Sequence, residues 1–328
     1  KRQSQAVKTG GRRKAAVNGV LLLNKPAGMS SNQALQKVKR LLNARKAGHT
    51  GSLDPAATGM LPLCFGEATK ICAYLLDADK AYRVVAKLGV ATDTGDADGE
   101  VTETADVPEL GRPDWEGILD VFVGDIEQVP PMYSALKKDG KRLYELARKG
   151  ETVERQSRPV TIHGIDLLEA AGSRLVFRVR CSKGTYVRTL VEDIARKAGT
   201  VAHTARLHRE SVGDFPVDSM LELRDAELAA AIGPEGLKSK LIPADQALTG
   251  WPECRVVAAD EARFCGGQVV ACDGQGSGLV RVYGEGGRFL GIGELTGAAG
   301  IVAPKRIFLP DAAAGEADRG HHLGQKNP

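Results

Sequence analysis

The sequence predicts an α+β protein that ends in a small all-β module. Over the first 250 residues, strand-like and helix-like segments alternate with several hairpins, which is typical of an α+β fold and not of a doubly wound parallel sheet. From Trp251 onward the chain is rich in Gly and Val and poor in helix signals. Its 328 residues, 42% of them apolar and 26% charged, are enough for one large domain with a satellite or for two to three ordinary domains.

The elements of the first 250 residues follow from periodicity. Runs rich in apolar and β-branched residues predict strands, and apolar residues at helical spacing predict helices. The predicted strands are NGVLLLNKPAG (18–28), AYRVVAKLGV (81–90), 159–168 and 174–181. The predicted helices are 31–43 with Ser30 or Ser31 as N-cap, 67–77, 113–125, TYVRTLVEDIARKAG with Thr185 near its start, and most of 218–248.

Three further segments differ in character from these elements. TDTGDADGE at 92–100 predicts an acidic turn between strands, and it lacks the Gly and Glu spacing of a calcium-binding EF-hand loop. Residues 130–150 predict a distinct unit with an extended Pro-Pro entry, a basic turn at Asp139-Gly140 and a short helix. The β-like runs after Trp251 are RVVAADE, QVVAC, GLVRVYG, RFLGIGEL and GIVAPKRIFL, which suit a barrel of about 60 residues.

Basic residues are clustered along the chain, although the formal net charge is only +4. Residues 1–14 contain six Lys and Arg and no acid, and further clusters lie at 37–46 and 137–149. Any one cluster could be a solvated helix face, but three together favour a polyanionic partner such as nucleic acid. A basic arm over 1–16 and a tail over 311–328 are predicted to be disordered.

Several function classes receive no support from the sequence. The six cysteines form no CxxC pair and no zinc-type cluster with histidine, so we expect a reducing compartment, a cytoplasmic location and no metal site. No uncharged run reaches the roughly 18 residues of a membrane span, and no apolar signal segment follows the basic N-terminus. CSKGTY at 181–186 lacks the spacing of a phosphate-binding Walker loop.

The stretch GHTGSLDP at 48–55 is a candidate for chemistry. Pro55 favours an extended conformation for Asp54. Gly48 and Gly51 allow close backbone approach, so the turn could hold a carboxylate rigidly at the rim of a cleft, as a nucleophile requires. The alternative is an Asx-type turn in which Asp54 only caps its own backbone, and the stretch alone favours this alternative.

Two other segments could supply partners for such a carboxylate. KGTYVRT at 183–189 places Tyr186 and Arg188 at a strand-to-helix junction, and an arginine can lower the pKa of a carboxyl and position it bidentately. Tyr82 in KAYRV offers a face for stacking a base and a hydroxyl for proton transfer. By default Arg188 is a surface cation and Tyr82 a half-buried strand residue, and the sequence leaves open whether Arg188 reaches Asp54.

Taken in order, these segments resemble the bacterial tRNA pseudouridine-55 synthases of the TruB type. The resemblance runs from about Asn18 to Pro310 and is carried by GVLLLNKPAGMSSNQALQKVKR, GHTGSLDPAATGMLPLCFGEATK, KAYRVVAKLGVATDTGDADGE, PPMYSALKKDGKRLYELAR and CSKGTYVRTL. It implies a catalytic domain with a mixed or antiparallel sheet over 17–250, an RNA-clamping insertion at 130–150 and a PUA-like RNA-binding barrel over 251–310.

The resemblance also implies a reaction. A uridine in the tRNA T-loop is flipped out, its C1′–N1 bond is cut, and the ring is rejoined through C5. Because this chemistry is redox-neutral and consumes no water, no cofactor or metal is expected. The matching catalytic residues are the aspartate Asp54, the stacking tyrosine Tyr82, for which the resemblance also implies handling of the C5 proton, and the aspartate-pairing arginine Arg188. The matching RNA-binding and substrate-binding residues are His49, Lys25, Tyr186 and Leu207.

The implied partner is tRNA, contacted at the T-arm by the catalytic domain and at the acceptor end by the C-terminal barrel. Neither a membrane nor an obligatory protein partner is expected. One rival interpretation is a non-catalytic RNA-binding or RNA-folding protein, against which the intact Asp54, Tyr82 and Arg188 count. A second is a guide-RNA-dependent relative in a multi-subunit particle, against which the insertion at 130–150 counts.

Overall fold

The computed structural model describes residues 16–134, 136–138, 140–297 and 300–309. The predicted arm over 1–16 (apart from Ala16), the predicted tail over 311–328 and Asp139 of the predicted basic turn lie outside the described residues. Among the helices that are described, none is long and apolar enough to cross a membrane.

The strands and helices are numbered in chain order. The strands are β1 (Gly19–Lys25), β2 (Ala47–His49), β3 (Thr58–Phe65), β4 (Lys80–Leu88), β5 (Val90–Thr92), β6 (Val101–Thr104), β7 (Gly124–Gln128), β8 (Lys137–Lys138), β9 (Lys141–Arg142), β10 (Arg158–Ala171), β11 (Arg174–Cys181), β12 (Ala202–Val212), β13 (Leu221–Glu222), β14 (Glu253–Val256), β15 (Val270–Ala271), β16 (Ser277–Gly284), β17 (Phe289–Thr296) and β18 (Ile301–Ile307). The α-helices are α1 (Ser31–Leu41), α2 (Cys72–Asp77), α3 (Arg112–Asp120), α4 (Leu143–Ala147), α5 (Val187–Lys197), α6 (Leu223–Ile232), α7 (Pro234–Lys238) and α8 (Ala258–Cys265). Short 3₁₀ segments lie at Gly66–Ile71, Val217–Ser219 and Gln246–Leu248.

A large mixed sheet forms the body of the molecule. Its strand order is β13-β1-β3-β12-β4-β11-β10-β7, and β2 also pairs with β3. Most neighbours are antiparallel, whereas β1 with β13 and β3 with β12 are parallel. This topology confirms the predicted α+β fold with a mixed sheet.

Strand β4 shows why the sequence folds this way. Successive side chains of a strand point to opposite faces, and in KAYRVVAKL this alternation buries Tyr82, Val84 and Leu88 on one face. Helix α5 covers that face with an apolar stripe that includes the buried Leu190 and Ile194. The packing therefore places the start of α5, where KGTYVRT ends, beside the strand that carries Tyr82.

Strand β12 is a central strand that the sequence-based prediction did not include. It pairs with β3 on one side and β4 on the other, and so joins the two halves of the sheet. Its sequence AHTARLHRESV is rich in charged residues and histidine and contains few β-branched or aromatic residues, so its intrinsic strand preference is weak. Pairing with two distant strands determines its conformation.

Several predicted helices are longer than the observed ones. The helix predicted over 31–43 ends at Leu41, 113–125 is helical from Arg112 to Asp120, and 67–77 begins as a 3₁₀ segment. The prediction that 218–248 is mostly helical is wrong at both ends, because α6 and α7 cover its middle part alone. Gly233 separates these two helices with φ +147°, a backbone conformation that favours glycine.

The C-terminal segment forms a second sheet in the order β14-β16-β17-β18-β15. This confirms the predicted small β unit, with one correction: RVVAADE is half strand and half helix, since β14 ends at Val256 and α8 begins at Ala258. The unit packs against the large sheet through Ile292 and Phe308, which share a buried cluster with Met60.

At Gly59, the backbone of β3 lies very close to that of its sheet neighbour β12, where Gly59 pairs with Arg209. A Cβ atom at this position would lie 2.2 Å from the Arg209 carbonyl oxygen, and the φ of +107° favours glycine. We expect Gly59→Ala to lower the free energy of unfolding by about 2–4 kcal/mol. Gly117→Ala in α3, where a Cβ meets nothing within 4 Å, should raise it by up to about 1 kcal/mol. Chemical denaturation measures both changes, and wild-type stability in Gly59→Ala would contradict the close approach.

Candidate active site

GHTGSLDP leads from β2 into β3 as a tightly held turn. Gly51 has φ +76°, which favours glycine. Leu53 is buried in the core, and the Ser31 hydroxyl accepts a hydrogen bond from its amide (2.8 Å) and donates one to its carbonyl (3.1 Å). The Ala57 amide donates to the Asp54 carbonyl at 3.0 Å. The turn is thus anchored at Leu53, while the adjacent Asp54 side chain stays 43% exposed.

Asp54 and Arg188 form the ion pair that the sequence left open. Arg188 Nε lies 3.0 Å from Asp54 Oδ2, and the Arg188 side chain is only 6% exposed. Burial raises the pKa of the Asp54 carboxyl, and the positive charge of Arg188 opposes this rise. Arg188 therefore favours the ionised carboxylate in surroundings that would otherwise favour the neutral acid.

Segments far apart in the sequence fix the Arg188 guanidinium. Nη1 donates to the Thr94 carbonyl at 2.7 Å, and Nη2 donates to the Tyr133 carbonyl at 2.8 Å. Asp96 places a second carboxylate 3.6 Å from Nη1. Thr94 and Asp96 belong to the acidic turn, which the sequence identified merely as a connection between strands, and Tyr133 belongs to the insertion. These contacts set the plane of the guanidinium relative to Asp54.

A cavity of about 350 Å³ lies beside the ion pair. Five of the seven predicted site residues line it: Asp54, Tyr82, Tyr186, Arg188 and Leu207. The Tyr82 side chain is largely buried, so its ring contributes apolar surface next to the carboxylate. A cavity of this volume suits a single nucleoside-sized group.

Tyr186 is held in place from β7. The buried Gln128 side chain accepts a hydrogen bond from the Tyr186 amide at 3.0 Å and donates one to the Tyr186 carbonyl at 3.3 Å. Because Tyr186 is the N-cap residue of α5, this clamp fixes the start of the helix that carries Arg188. Burial raises the pKa of the Tyr186 hydroxyl, which keeps it neutral. Sequence reasoning missed Gln128, since a glutamine at a strand end carries no local signal.

Lys25 and His49 do not line this cavity. Lys25 is fully buried, and its ammonium group donates to the carbonyls of Pro26 and Met29 (both 2.8 Å) and Pro55 (3.2 Å). Burial lowers the pKa of Lys25 to about 8. His49 is the last residue of β2; its Nδ1 is buried with no hydrogen-bond partner in the described part of the chain, and burial lowers its pKa. Lys25 therefore stabilises the turn through the Pro55 carbonyl, from a position inside the protein.

Two buried cations beside the cavity were not predicted. Lys80 and Arg209 both line it, although they are only 7% and 1% exposed. Lys80 donates to the carbonyls of Leu76 (2.6 Å) and Ala78, and burial lowers its pKa to about 8. Both residues border segments that the sequence singled out: Lys80 opens KAYRV, and Arg209 follows Leu207 by two positions. Lys80 lies one residue before the predicted strand 81–90 and two before Tyr82, so its alternation with the core-facing residues was the signal that could have found it.

The arrangement combines a fixed anion with surfaces for a flat ring. The Asp54 carboxylate has the chemistry of a nucleophile, Arg188 fixes its orientation, and Tyr82 and Leu207 offer apolar surface on which a flat ring can pack. The described residues contain no group of three or more His, Cys, Asp or Glu that could hold a metal ion.

The fold is shared with solved structures of Cbf5 complexes. A crystal structure of a Cbf5-Nop10-Gar1 complex superimposes with a TM-score of 0.71 and 25% sequence identity, covering 91% of this chain and 87% of that chain. The archaeal box H/ACA sRNP Nop10-Cbf5 complex has the same fold, with a TM-score of 0.68 and 22% identity over 94% and 95% of the two chains. The chain therefore has the same fold as the Cbf5 chains of these complexes.

Family models cover most of the chain. They are "TruB family pseudouridylate synthase (N terminal domain)" at 39–187, "tRNA pseudouridylate synthase B C-terminal domain" at 188–249 and "Pseudouridine synthase II TruB, C-terminal" at 252–308. A tRNA pseudouridine synthase B from Pseudomonas aeruginosa (strain UCBPP-PA14) is 53% identical over 89% of this chain and 96% of the relative. One from Dechloromonas aromatica is 50% identical over 89% and 95%. The chain belongs to the TruB family of tRNA pseudouridine synthases, which confirms the resemblance seen in the sequence.

Proposed function

We propose that this enzyme converts the uridine at position 55 in the T-loop of tRNA to pseudouridine, with Asp54 as the nucleophile. The observation that carries the proposal is the Asp54–Arg188 ion pair in a nucleoside-sized cavity that Tyr82 also lines. Relatives that carry the name tRNA pseudouridine synthase B and share about half of the sequence support tRNA as the substrate. The lower identity to the Cbf5 complexes counts against a guide-dependent role.

The reaction needs one C–N bond broken and one C–C bond formed. The electron pair of the C1′–N1 bond leaves with the uracil, and the ring turns until C5 faces C1′. The C5–C1′ bond then forms, C5 loses a proton and N1 gains one. The Asp54 carboxylate either attacks C1′, giving an ester that C5 displaces, or adds to the ring to weaken the glycosidic bond. Both routes require an ionised carboxylate in a fixed position, which the pairing with Arg188 provides.

The target base must leave its stack to reach Asp54. Enzymes that act on a base in structured nucleic acid extrude it into a pocket, where apolar and aromatic side chains replace the lost stacking. We assign Tyr82 and Leu207 to this packing, since both line the cavity. His49, at the end of β2, is assigned to support the flipped-out RNA conformation. Lys25 acts through the Pro55 carbonyl, and so positions the turn rather than the RNA.

The insertion and the C-terminal unit are assigned to the rest of the tRNA. A second cavity of about 330 Å³ beside the insertion is lined by Arg155 and Arg158. Arg155 Nε is buried without a hydrogen-bond partner in the described part of the chain, and a phosphate of the T-arm would supply one.

We assign 17–250 to catalysis and 251–310 to a PUA-like barrel at the acceptor end, and the separate family model at 252–308 supports this division.

A T-arm stem-loop RNA tests the proposal directly. The enzyme should convert one uridine of the unmodified T-loop to pseudouridine, because the loop alone presents the target base. A stem-loop with cytidine at that position and an anticodon stem-loop serve as controls, and neither should acquire pseudouridine. Chemical mapping of pseudouridine at nucleotide resolution reads out all three. Modification of the anticodon stem-loop, with an unmodified T-loop, would overturn the assignment of the substrate.

Removal of residues 251–328 is expected to weaken tRNA binding while turnover of the T-arm stem-loop persists. The acceptor end lies outside the stem-loop, so that substrate loses no contact. A chain that ends at residue 309 is the matched control, because it keeps the second sheet. Since Phe308 and Ile292 pack on the large sheet, thermal unfolding must show that the shorter chain is folded. Loss of stem-loop turnover in a folded chain would contradict the division into two units.

A further inference from the structure

Arg209 carries a buried guanidinium at the wall of the cavity. Its Nε donates to the Met60 carbonyl at 2.7 Å, and its Nη2 donates to the Gly51 carbonyl at 3.0 Å. Gly51 belongs to the turn that presents Asp54, whereas Met60 belongs to β3. Arg209 therefore ties the catalytic turn to the strand that follows it.

The charge of Arg209 is not neutralised by an acid. Within the described ranges, Arg209 forms no salt bridge, and an uncompensated charge in a protein interior is costly. The titratable groups that it influences from β1, β2 and the start of β4 are Lys25, His49 and Lys80, and none of them carries negative charge. Among the described residues, Arg209 also acts on the phenol of Tyr82.

Arg209 and Tyr82 are direct neighbours across two strands. Their Cα atoms are partners in the β12–β4 pairing, and residues directly opposite in a sheet place their side chains on the same face. Both side chains line the same cavity, and the charge of the guanidinium acts on the Tyr82 hydroxyl. The other titratable groups that face this hydroxyl are Cys181 from β11 and Asp54 from the turn.

We infer that Arg209 is a positioning residue that holds the Tyr82 oxygen ready to accept the C5 proton of the rejoined uracil. In this step the phenolate takes the proton, the electrons of the C5–H bond form the C5=C6 double bond, and the electron pair of the C6=N1 double bond moves onto N1. N1 takes up a proton from solvent, and the Tyr82 phenol then returns its proton to solvent. The inference rests on the proposed function, in which Tyr82 stacks on the base.

Burial and Arg209 have opposite effects on the pKa of the Tyr82 hydroxyl, and this predicts the direction in which loss of Arg209 changes that pKa. Burial raises the pKa of the Tyr82 hydroxyl, and Arg209 acts against that rise. Loss of Arg209 therefore raises the pKa further and lowers the phenolate fraction at any given pH. A phosphate-binding arginine would behave differently, because its loss would weaken RNA binding and reduce the salt dependence of that binding.

The experiment is a pH profile of tritium release from tRNA that carries [5-³H]uridine, measured under single turnover. In the wild type we expect the rate to rise with pH on the alkaline side of the profile, and we call this part the alkaline limb. Arg209→Gln should move the alkaline limb to higher pH by about one to two units, which corresponds to a roughly 10- to 100-fold lower rate at fixed pH. The Kd for tRNA should stay unchanged. Arg83→Gln is the matched control, because Arg83 is exposed, adjacent to Tyr82 in sequence and directed to the opposite face of the sheet.

Two further proteins keep the test decisive if Arg209→Gln does not fold. Arg209→Lys retains the charge, so its alkaline limb should lie nearer to that of wild type. A fluorinated tyrosine at position 82 in otherwise wild-type protein has a more acidic phenol and should move the limb to lower pH. If the fluorinated protein shows no shift, Tyr82 is not the proton acceptor and the inference fails, while the role of Asp54 is untouched.

If the fluorinated protein shifts but Arg209→Gln does not, the inference about Arg209 fails alone. A higher Kd with a smaller salt dependence in Arg209→Gln, at an unmoved limb, would assign Arg209 to a phosphate and overturn the inference. Absence of pseudouridine from the wild-type reaction would instead overturn the proposed function.

Discussion

Asp54→Asn should abolish pseudouridine formation while tRNA binding survives. The amide has the shape of the carboxylate but lacks its nucleophilic oxygen, so we expect the single-turnover rate to fall by about 10⁴-fold or more. The cavity walls, including Tyr82 and Leu207, stay in place, so the Kd for tRNA should remain close to the wild-type value. Rapid-quench assays give the rate, and filter binding gives the Kd.

Thermal unfolding provides the control for Asp54→Asn. The turn is held by Leu53 and Ser31 independently of the carboxylate, so the variant should fold like the wild type. Turnover at a wild-type rate in the folded variant would mean that a group other than Asp54 carries out the attack.

Arg188→Gln should reduce the rate by about 10²–10³-fold and move the acid limb of the pH–rate profile to higher pH. Arg188 opposes the rise in the pKa of Asp54 that burial causes, so its loss raises that pKa further. The carboxylate is then protonated, and inactive, at pH values where the wild-type enzyme works. The measurement is the single-turnover rate as a function of pH.

Arg196→Gln is the matched control for Arg188→Gln. Arg196 lies on the same helix, but its side chain is exposed and pairs with Glu103 away from the cavity. Its loss should leave both the rate and the acid limb unchanged. An unmoved acid limb in Arg188→Gln would show that the guanidinium does not control the ionisation of Asp54.

Much of the fold could be predicted because its signals are local. The alternation in β4, the apolar stripe of α5 and the turn chemistry of GHTGSLDP each lie within about ten residues of sequence. Strand β12 could not be predicted in this way, since its own residues prefer no strand and its partners β3 and β4 lie more than 100 positions earlier.

Some parts of the site could also be predicted from local sequence, whereas others depend on the tertiary fold. The motifs pointed to Asp54, Tyr82 and Arg188 because residue type and local geometry suit their chemistry. The carbonyls of Thr94 and Tyr133 that fix Arg188 are backbone groups, present at every residue, so their selection depends on the tertiary fold alone.

Lys25 and Arg209 show a further limit of sequence reasoning. The resemblance placed Lys25 among the RNA-binding and substrate-binding residues, yet Lys25 is fully buried among carbonyl oxygens. Arg209 follows the predicted site residue Leu207 by two positions but was not itself singled out, although it contacts the turn and lies opposite Tyr82 in the sheet. Burial decides the role of both cations, and burial depends on strands that are distant in sequence.

The most direct test of the central claim, that Asp54 isomerises a T-loop uridine, is position-resolved mapping of pseudouridine on a full-length unmodified tRNA. Wild-type enzyme and Asp54→Asn are each added at concentrations that saturate binding, and the reaction is followed under single turnover. We predict one pseudouridine, at position 55, with the wild-type enzyme and none with Asp54→Asn, although both bind the tRNA. Pseudouridine at position 55 in the Asp54→Asn reaction, or at another position in the wild-type reaction, would contradict the claim.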